Sequence, residues 1–201
     1  MSRYCSECGK SRKACICEWI ESLPSNVELV ILQHPSEQHK PMGTARILSL
    51  SLPSSHHFIG EDFSAHTELN RLLSEPDSRN FVLYPSDVSQ LVTQIPIDPV
   101  VDKVRVILLD GTWKKAYKMY QLSANLQALP GLHLPTGLKG NYRIRKAPSD
   151  NSLSTVEAGY HLLTLLEPDR DFLPLVSAFE QMVEFQIAQM PAGVFEKNYA
   201  K

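Results

Sequence analysis

Asp110, Gly111, Thr112 and Trp113 close the apolar run Val104–Leu109, and Lys114, Lys115 and Lys118 follow at once. An aspartate at such a place can accept hydrogen bonds, hold a cation or act as a base. Asp-Gly is equally a turn former and helix N-cap. Gly111 permits a positive φ or a close backbone approach to a ligand. Trp113 offers a large flat face, although Trp113, Tyr117 and Tyr120 also share one i, i+4, i+7 helix face that suits core packing. Lysines in the first turn of a helix oppose its dipole. An anion at that helix start would account for Lys114, Lys115 and Lys118, because backbone N–H groups and ammonium groups would meet there, and an RNA phosphate fits.

A second basic cluster follows in "KGNYRIRKAP", with Lys139, Arg143, Arg145 and Lys146. Arg143 and Arg145 alternate on one side of an extended segment, with Tyr142 and Ile144 on the other. Guanidinium forks match phosphate or carboxylate, and a neighbouring tyrosine can stack on a base. A charged edge strand would have the same look. From Lys103 to Lys146 the chain carries nine Lys or Arg against one acid, a net +8 inside a chain of net −2. Global charge argues against nucleic acid; this local charge argues for it.

The four cysteines lie in the first 17 residues: Cys5, Cys8, Cys15 and Cys17. C-x2-C-x6-C-x-C can supply four thiolates to one closed tetrahedral site, and the flanking Gly9 suits the tight turn between ligands. A structural zinc is expected. Disulfides are disfavoured because the polar N-terminus, MSRYCSECGKSRK, has no apolar signal segment, so a cytoplasmic location is expected. A closed four-thiolate site leaves no position for substrate, which makes residues 1–22 a small zinc-binding lobe beside a main domain of residues 23–201.

Elements that would carry these residues are legible from apolar patterning. Strands are expected at "VELVILQ" (27–33), "HHFIG", "NFVLYP" (80–85), "VRVILL" and "GLHLP". Helices are expected over 44–52, capped by Thr44; over 64–75, capped by Ser64; as a short capped helix from Ser86; over about 112–126; over 154–167, where Ser154 and Glu157 form a capping box; and over about 172–190. Alternation of strands and helices predicts an α/β fold, a mostly parallel sheet with helices on both faces. Ligands in such folds sit at the C-terminal ends of strands. The loops "QHPSE", "LYPSD" and "DGTW" would then share one edge. No membrane span, P-loop, G-x-G-x-x-G, H-E-x-x-H or G-x-S-x-G is present.

Taken together, the cysteine pattern, "QHPSE", "LYPSD", "LLDGTWKKAYKM", "YRIRK" and "LSTVEA" make the chain similar to the DTW-domain family, whose Asp-x-Thr-Trp motif matches Asp110, Thr112 and Trp113. The resemblance runs over nearly the whole chain with the motifs in the same order. It implies a SPOUT-like fold with a possible C-terminal trefoil knot. It also implies tRNA-uridine aminocarboxypropyl transfer, in which the 3-amino-3-carboxypropyl group of S-adenosylmethionine moves to N3 of a variable-loop uridine, leaving methylthioadenosine. On that reading Asp110, Thr112, Trp113 and Glu157 are the candidate catalytic residues, with Asp110 as base or as the group that orients the uridine imide; Glu37 is a rival for the base.

The S-adenosylmethionine slot is assigned to Leu83, Tyr84 and Pro85, to Leu109, Asp110 and Gly111, and to Leu134 and Pro135. Tyr142, Arg143, Ser154 and Thr155 complete it, with an arginine on the carboxylate of the transferred group. Lys114, Lys115, Lys118, Arg145 and Lys146 are assigned to tRNA. Two other readings remain open from residues alone: a SPOUT-type RNA methyltransferase and a non-enzymatic zinc-bearing RNA-binding protein. Oligomeric state is not legible.

Overall fold

Largely apolar runs such as Val104–Leu109, broken only by Arg105, are what strands buried on both faces require, and a computed structural model of the chain places them at the centre of one sheet. It describes residues 3–96, 98, 102–138, 140, 153–191 and 193–198. Six strands, β1 (Val27–Gln33), β2 (His56–Ile59), β3 (Ser78–Leu83), β4 (Gln90–Leu91), β5 (Lys103–Asp110) and β6 (Gly131–His133), are ordered β2-β1-β5-β3-β6-β4. Every pairing is parallel. All strand C-termini therefore lie along one edge, as the three loops required.

Alternate residues of each strand feed two apolar layers. Leu29, Ile31, Val106 and Leu108 join Leu48, Val156, Leu162 and Phe179 on one face. That layer is covered by α1 (Ala45–Ser51), α5 (Thr155–Leu166) and α6 (Leu173–Ala188). Val30, Leu32, Val82 and Ile107 join Leu69, Met119 and Leu126 on the other, from α2 (Thr67–Leu73), α3 (Trp113–Leu122) and α4 (Ala124–Gln127). A last helix, α7, spans Val194–Asn198. Crossover connections that place helices on both faces are what parallel pairing demands.

Several local expectations differ from what is found. α2 begins at Thr67 and is capped by His66, whose ring nitrogen accepts the Leu69 N–H. Ser64 instead donates its hydroxyl to the Leu122 carbonyl at 2.9 Å and binds the start of α4. The expected helix 112–126 is broken at Ser123, whose hydroxyl oxygen accepts the Phe63 N–H at 3.0 Å. Ser86 opens a turn leading to β4, not a helix. Thr44 precedes α1 without capping it; its hydroxyl accepts the Val156 N–H at 3.4 Å, across the molecule.

The basic segment is partly internal. Arg105 is fully buried, donating to Glu28 at 2.8 Å, Glu75 at 2.9 Å and Asn80 at 3.1 Å. Lys103 pairs with Glu75 at 2.7 Å. These cations belong to the fold, so the local charge that faces solvent is smaller than the sequence count suggests.

Around the cysteines, Cys8 and Ile16 are buried within the same apolar layer as α1, α5 and α6, and Trp19 packs on Phe185 with ring centroids 6.2 Å apart. Lys10 donates to the carbonyls of Pro41 at 2.6 Å and Gly43 at 3.2 Å, and Arg46 of α1 donates to the Glu7 carbonyl.

Candidate functional site

Gln33 and Asp110 end two neighbouring central strands and are register partners, so their side chains leave the sheet on the same face. The Asp110 carboxylate accepts from the Gln33 amide at 2.7 Å and from the Thr155 hydroxyl. It is only 7% exposed. Its carbonyl accepts the His34 N–H at 2.9 Å, which extends the β1–β5 ladder one step past the strands. Asp110 is therefore not the cap of α3. That role falls to Thr112, whose hydroxyl accepts the Lys115 N–H at 3.4 Å.

Gly111 has a negative φ, and its requirement is spatial: a Cβ there would stand 3.1 Å from the Cβ of Lys115. Glycine lets the chain turn from β5 into α3 without displacing the helix.

A cavity of about 310 Å³ opens beside this pair, at the lower end of the range for small-molecule sites. Leu83, Tyr84 and Pro85 form one wall, and Leu109, Gly111 and Trp113 another. Leu134 and Pro135 close a third side, and Ser154 and Thr155 bring the N-terminus of α5. These are residues from the ends of β3, β5 and β6, as the strand-end rule implied. Asp110 itself lies behind Thr155, outside the lining. Tyr142 and Arg143, assigned to the slot, and Arg145 and Lys146, assigned to tRNA, lie outside the described residues, as does Lys139.

The polar groups of the lining are few. Ser154 is occupied: its hydroxyl donates to Glu157 at 2.6 Å and accepts the Glu157 N–H at 3.4 Å, while its own N–H donates to Glu157 at 2.7 Å. This capping box buries Glu157 away from the cavity wall. Glu37, the other rival carboxylate, is paired with Lys115 at 2.6 Å. Thr155 donates to Asp110, and among the described residues no donor meets its hydroxyl oxygen.

The loop 131–136, GLHLPT, was expected to help form the slot, and within it His133, not singled out from the sequence, is a wall residue. The Ser89 hydroxyl gives its proton to the Ser86 carbonyl at 2.8 Å and stands 3.0 Å from His133 Nδ1. Ser89 thereby holds the His133 ring in place at the cavity wall. The available signal was the position of His133 at the end of a strand.

α3 presents its charges unevenly. Lys115 and Lys118 meet Glu37 and Glu61, the latter at 2.9 Å. Protein carboxylates thus offset the lysines that oppose the dipole. Lys118, then His34, holds the Glu61 carboxyl below its ordinary value. Lys114 is exposed. The aromatic face is not core: Trp113 is 52% and Tyr117 57% exposed, while Tyr120 stacks on Tyr84 with centroids 4.4 Å apart.

Away from this cavity, Cys5, Cys8, Cys15 and Cys17 place their sulfurs within 4.8 Å of one another. Cys5 and Cys17 are 3.7 Å apart, and Cys8 and Cys15 3.8 Å. A tetrahedral ion bound at about 2.3 Å sets its sulfurs about 3.8 Å apart, so the four thiols fit a metal. The N–H groups of Cys8 and Glu7 bring the Cys5 thiol down to about 6. Burial and the neighbouring thiols push Cys17 up. A dication would relieve that crowding. Gly9 turns the first pair with φ +71°.

No helix among the described residues is long and apolar enough to cross a membrane.

A family model described as the DTW domain matches residues 2–187. A Mus musculus tRNA-uridine aminocarboxypropyltransferase 2 is 28% identical over 200 residues, covering 97% of this chain and 67% of that protein. The Drosophila melanogaster protein of the same name is 31% identical over 172 residues, 81% of this chain and 67% of its own. The tRNA-uridine aminocarboxypropyltransferase A of Arabidopsis thaliana is 25% identical over 218 residues, covering 92% and 81%. This chain spans between 56% and 67% of the animal relatives' length. No solved structure matches.

Proposed function

The chain belongs to the DTW-domain family, and we propose that it is a tRNA-uridine aminocarboxypropyltransferase. It transfers the 3-amino-3-carboxypropyl group of S-adenosylmethionine to N3 of a variable-loop uridine and releases methylthioadenosine. The observation that carries this reading is the cavity at the ends of β3, β5 and β6, with the Asp110–Thr155 pair beside it, in a chain whose relatives bear that activity in their names. A SPOUT relation, and the knot it implies, are part of the proposal; an all-parallel sheet with its cavity at the strand ends is consistent with them.

When bound, S-adenosylmethionine supplies a sulfonium that activates the carbon to be attacked. The protein's task is placement, because three carbons on that sulfur are open to attack and geometry selects one. Leu83, Pro85, Leu109, Leu134 and Pro135 exclude water and hold the apolar part of the ligand. His133 lines the cavity and offers a ring nitrogen to a polar group of the ligand. Arg143, by chemistry, takes the carboxylate.

Uridine N3–H is weakly acidic, so its proton needs a destination. Thr155 Oγ1 accepts it while passing its own hydroxyl proton to the Asp110 carboxylate. Gln33 holds Asp110 from the other side, so the receiving oxygen does not move. Glu157 is assigned to building the α5 N-terminus, and Thr112 to capping α3. Trp113 stands at the mouth, where the base enters.

Residues 1–22 form the metal lobe and residues 23–201 the catalytic domain. Four thiolates at tetrahedral spacing suit Zn as a structural ion. Lys114, with Arg145 and Lys146, is the contact to tRNA phosphates; Lys115 and Lys118 join it where RNA displaces their carboxylates.

Undermodified tRNA incubated with carboxyl-labelled S-adenosylmethionine, and in parallel with methyl-labelled S-adenosylmethionine, tests the assignment. Carboxyl label enters the RNA and methyl label leaves as methylthioadenosine. Methyl label in the RNA instead would make the protein a methyltransferase.

A further inference from the structure

Tyr117 has no place in the catalytic reading above, yet it is among the most exposed large side chains of the molecule. It lies one turn beyond Trp113 on α3, on the same face of the helix. That face would be expected to pack inward, but the residues of α3 that do so are Ala116 and Met119. The exposed ring is therefore not a by-product of core packing.

The surroundings of Tyr117 are those of a stacking surface. Trp113 lines the cavity mouth and is half exposed. Tyr120 is pinned by its stack on Tyr84, itself a cavity wall residue, with an interplanar angle of 14°. This stack fixes the base of the ledge against the cavity. Lys114 is exposed and lies between Trp113 and Tyr117 in sequence, at the flank of their face. Flat aromatic faces beside an ammonium group, continuous with a cavity, match single-stranded nucleic acid: bases stack and phosphates pair.

We propose that the outer face of α3 is a two-step ledge for unpaired RNA, on which Tyr117 stacks the nucleotide adjacent to the acceptor uridine while Trp113 faces the acceptor itself. The inference rests on the transferase reading and adds a residue to it. Tyr117 binds RNA by its ring, Lys114 by its charge, and neither touches S-adenosylmethionine. The ledge also explains how a base in a folded tRNA loop is kept out of its stack long enough to react: its neighbour is given a new stacking partner.

The test uses the full chain, an unmodified tRNA transcript with a fluorescent end, and anisotropy titrations at several salt concentrations. Tyr117→Ala weakens binding about tenfold, within the range for one lost base stack. Its salt dependence stays that of the wild type, because no phosphate contact is lost. Tyr117→Phe keeps the ring and restores affinity; Tyr117→Leu, of similar bulk without a π face, does not. Lys114→Ala lowers the salt slope by about one. Calorimetric titration with S-adenosylmethionine and thermal melts, run on every variant, stay at wild-type values. Equal tRNA affinity for Tyr117→Ala and wild type overturns the ledge and leaves the transferase reading standing. A wild-type protein that neither binds nor modifies any tRNA overturns both. A concentration-dependent dimer dissolved by Tyr117→Ala would assign the face to a second copy of the chain, and also overturns the ledge.

Discussion

Asp110 receives two hydrogen bonds from side chains that the sequence holds far apart, Gln33 and Thr155. Replacing it with asparagine puts an amide where two donors converge, so one of them loses its acceptor. The expected result for Asp110→Asn is a fall in kcat of about a hundredfold or more, the usual worth of a positioned proton acceptor, with S-adenosylmethionine affinity changed far less. Single-turnover rates beside equilibrium titrations separate the two, and unaltered turnover would remove Asp110 from the proton path. Thr155→Val should mimic it and Thr155→Ser should not. Asp110 and Trp113 were legible as candidate site residues because residue type and strand-end position agree, while Thr155 was marked by the start of a helix and by the family resemblance. Their pairing was not, since a hydrogen bond across 45 residues leaves no trace in local pattern. Glu157 shows the converse: its capping-box signature was legible, and the box is what its carboxylate forms.

At the level of strands and helices, the end of α2 is tied to β5 by charge. Lys103 and then Arg105 hold the Glu75 carboxyl at about 2, against an ordinary 4.5. A depressed carboxyl stabilises the fold above its unfolded value and loses that contribution as pH falls toward its folded value. The window is therefore from about 4.5 down to about 2. Melting temperatures across that window should fall less steeply for Glu75→Gln than for wild type, and the variant should already melt lower at neutral pH. Parallel curves would show that Glu75 contributes nothing there. Fold class was readable because β1 and β5 are apolar enough to be central and α5 announces its cap. The break at Ser123 was not, because a tertiary bond to Phe63 interrupts a pattern that is locally helical. Two-residue β4 is too short to carry any period.

Across the whole molecule, the cysteine lobe and the main domain share one apolar layer through Cys8 and Ile16. Stripping metal with a strong chelator should therefore lower the melting temperature of the entire chain rather than free a small independent unit. A loss of about 3 kcal/mol corresponds to about 6–12 °C for a domain of this size. Calorimetry with a parallel count of released zinc checks this; an unchanged melt after full chelation would mean the four thiols hold no stabilising ion. Sequence placed the lobe by its spacing but could not show this union, because Lys10 and Arg46 reach it through backbone carbonyls.

The register of the central strands carries one more consequence, for the protein while it is being made. Val27 pairs with Val104, so β1 waits for 77 further residues before its central partner exists. At about 5–20 residues per second that wait lasts about 4–15 s. Through it the β5-facing edge of "VELVIL" stays open in a strongly β-prone segment, with only β2 available to pair its other edge. Newly made chains should thus depend on chaperone capacity, and slowing translation downstream of β1 should raise the insoluble fraction rather than lower it.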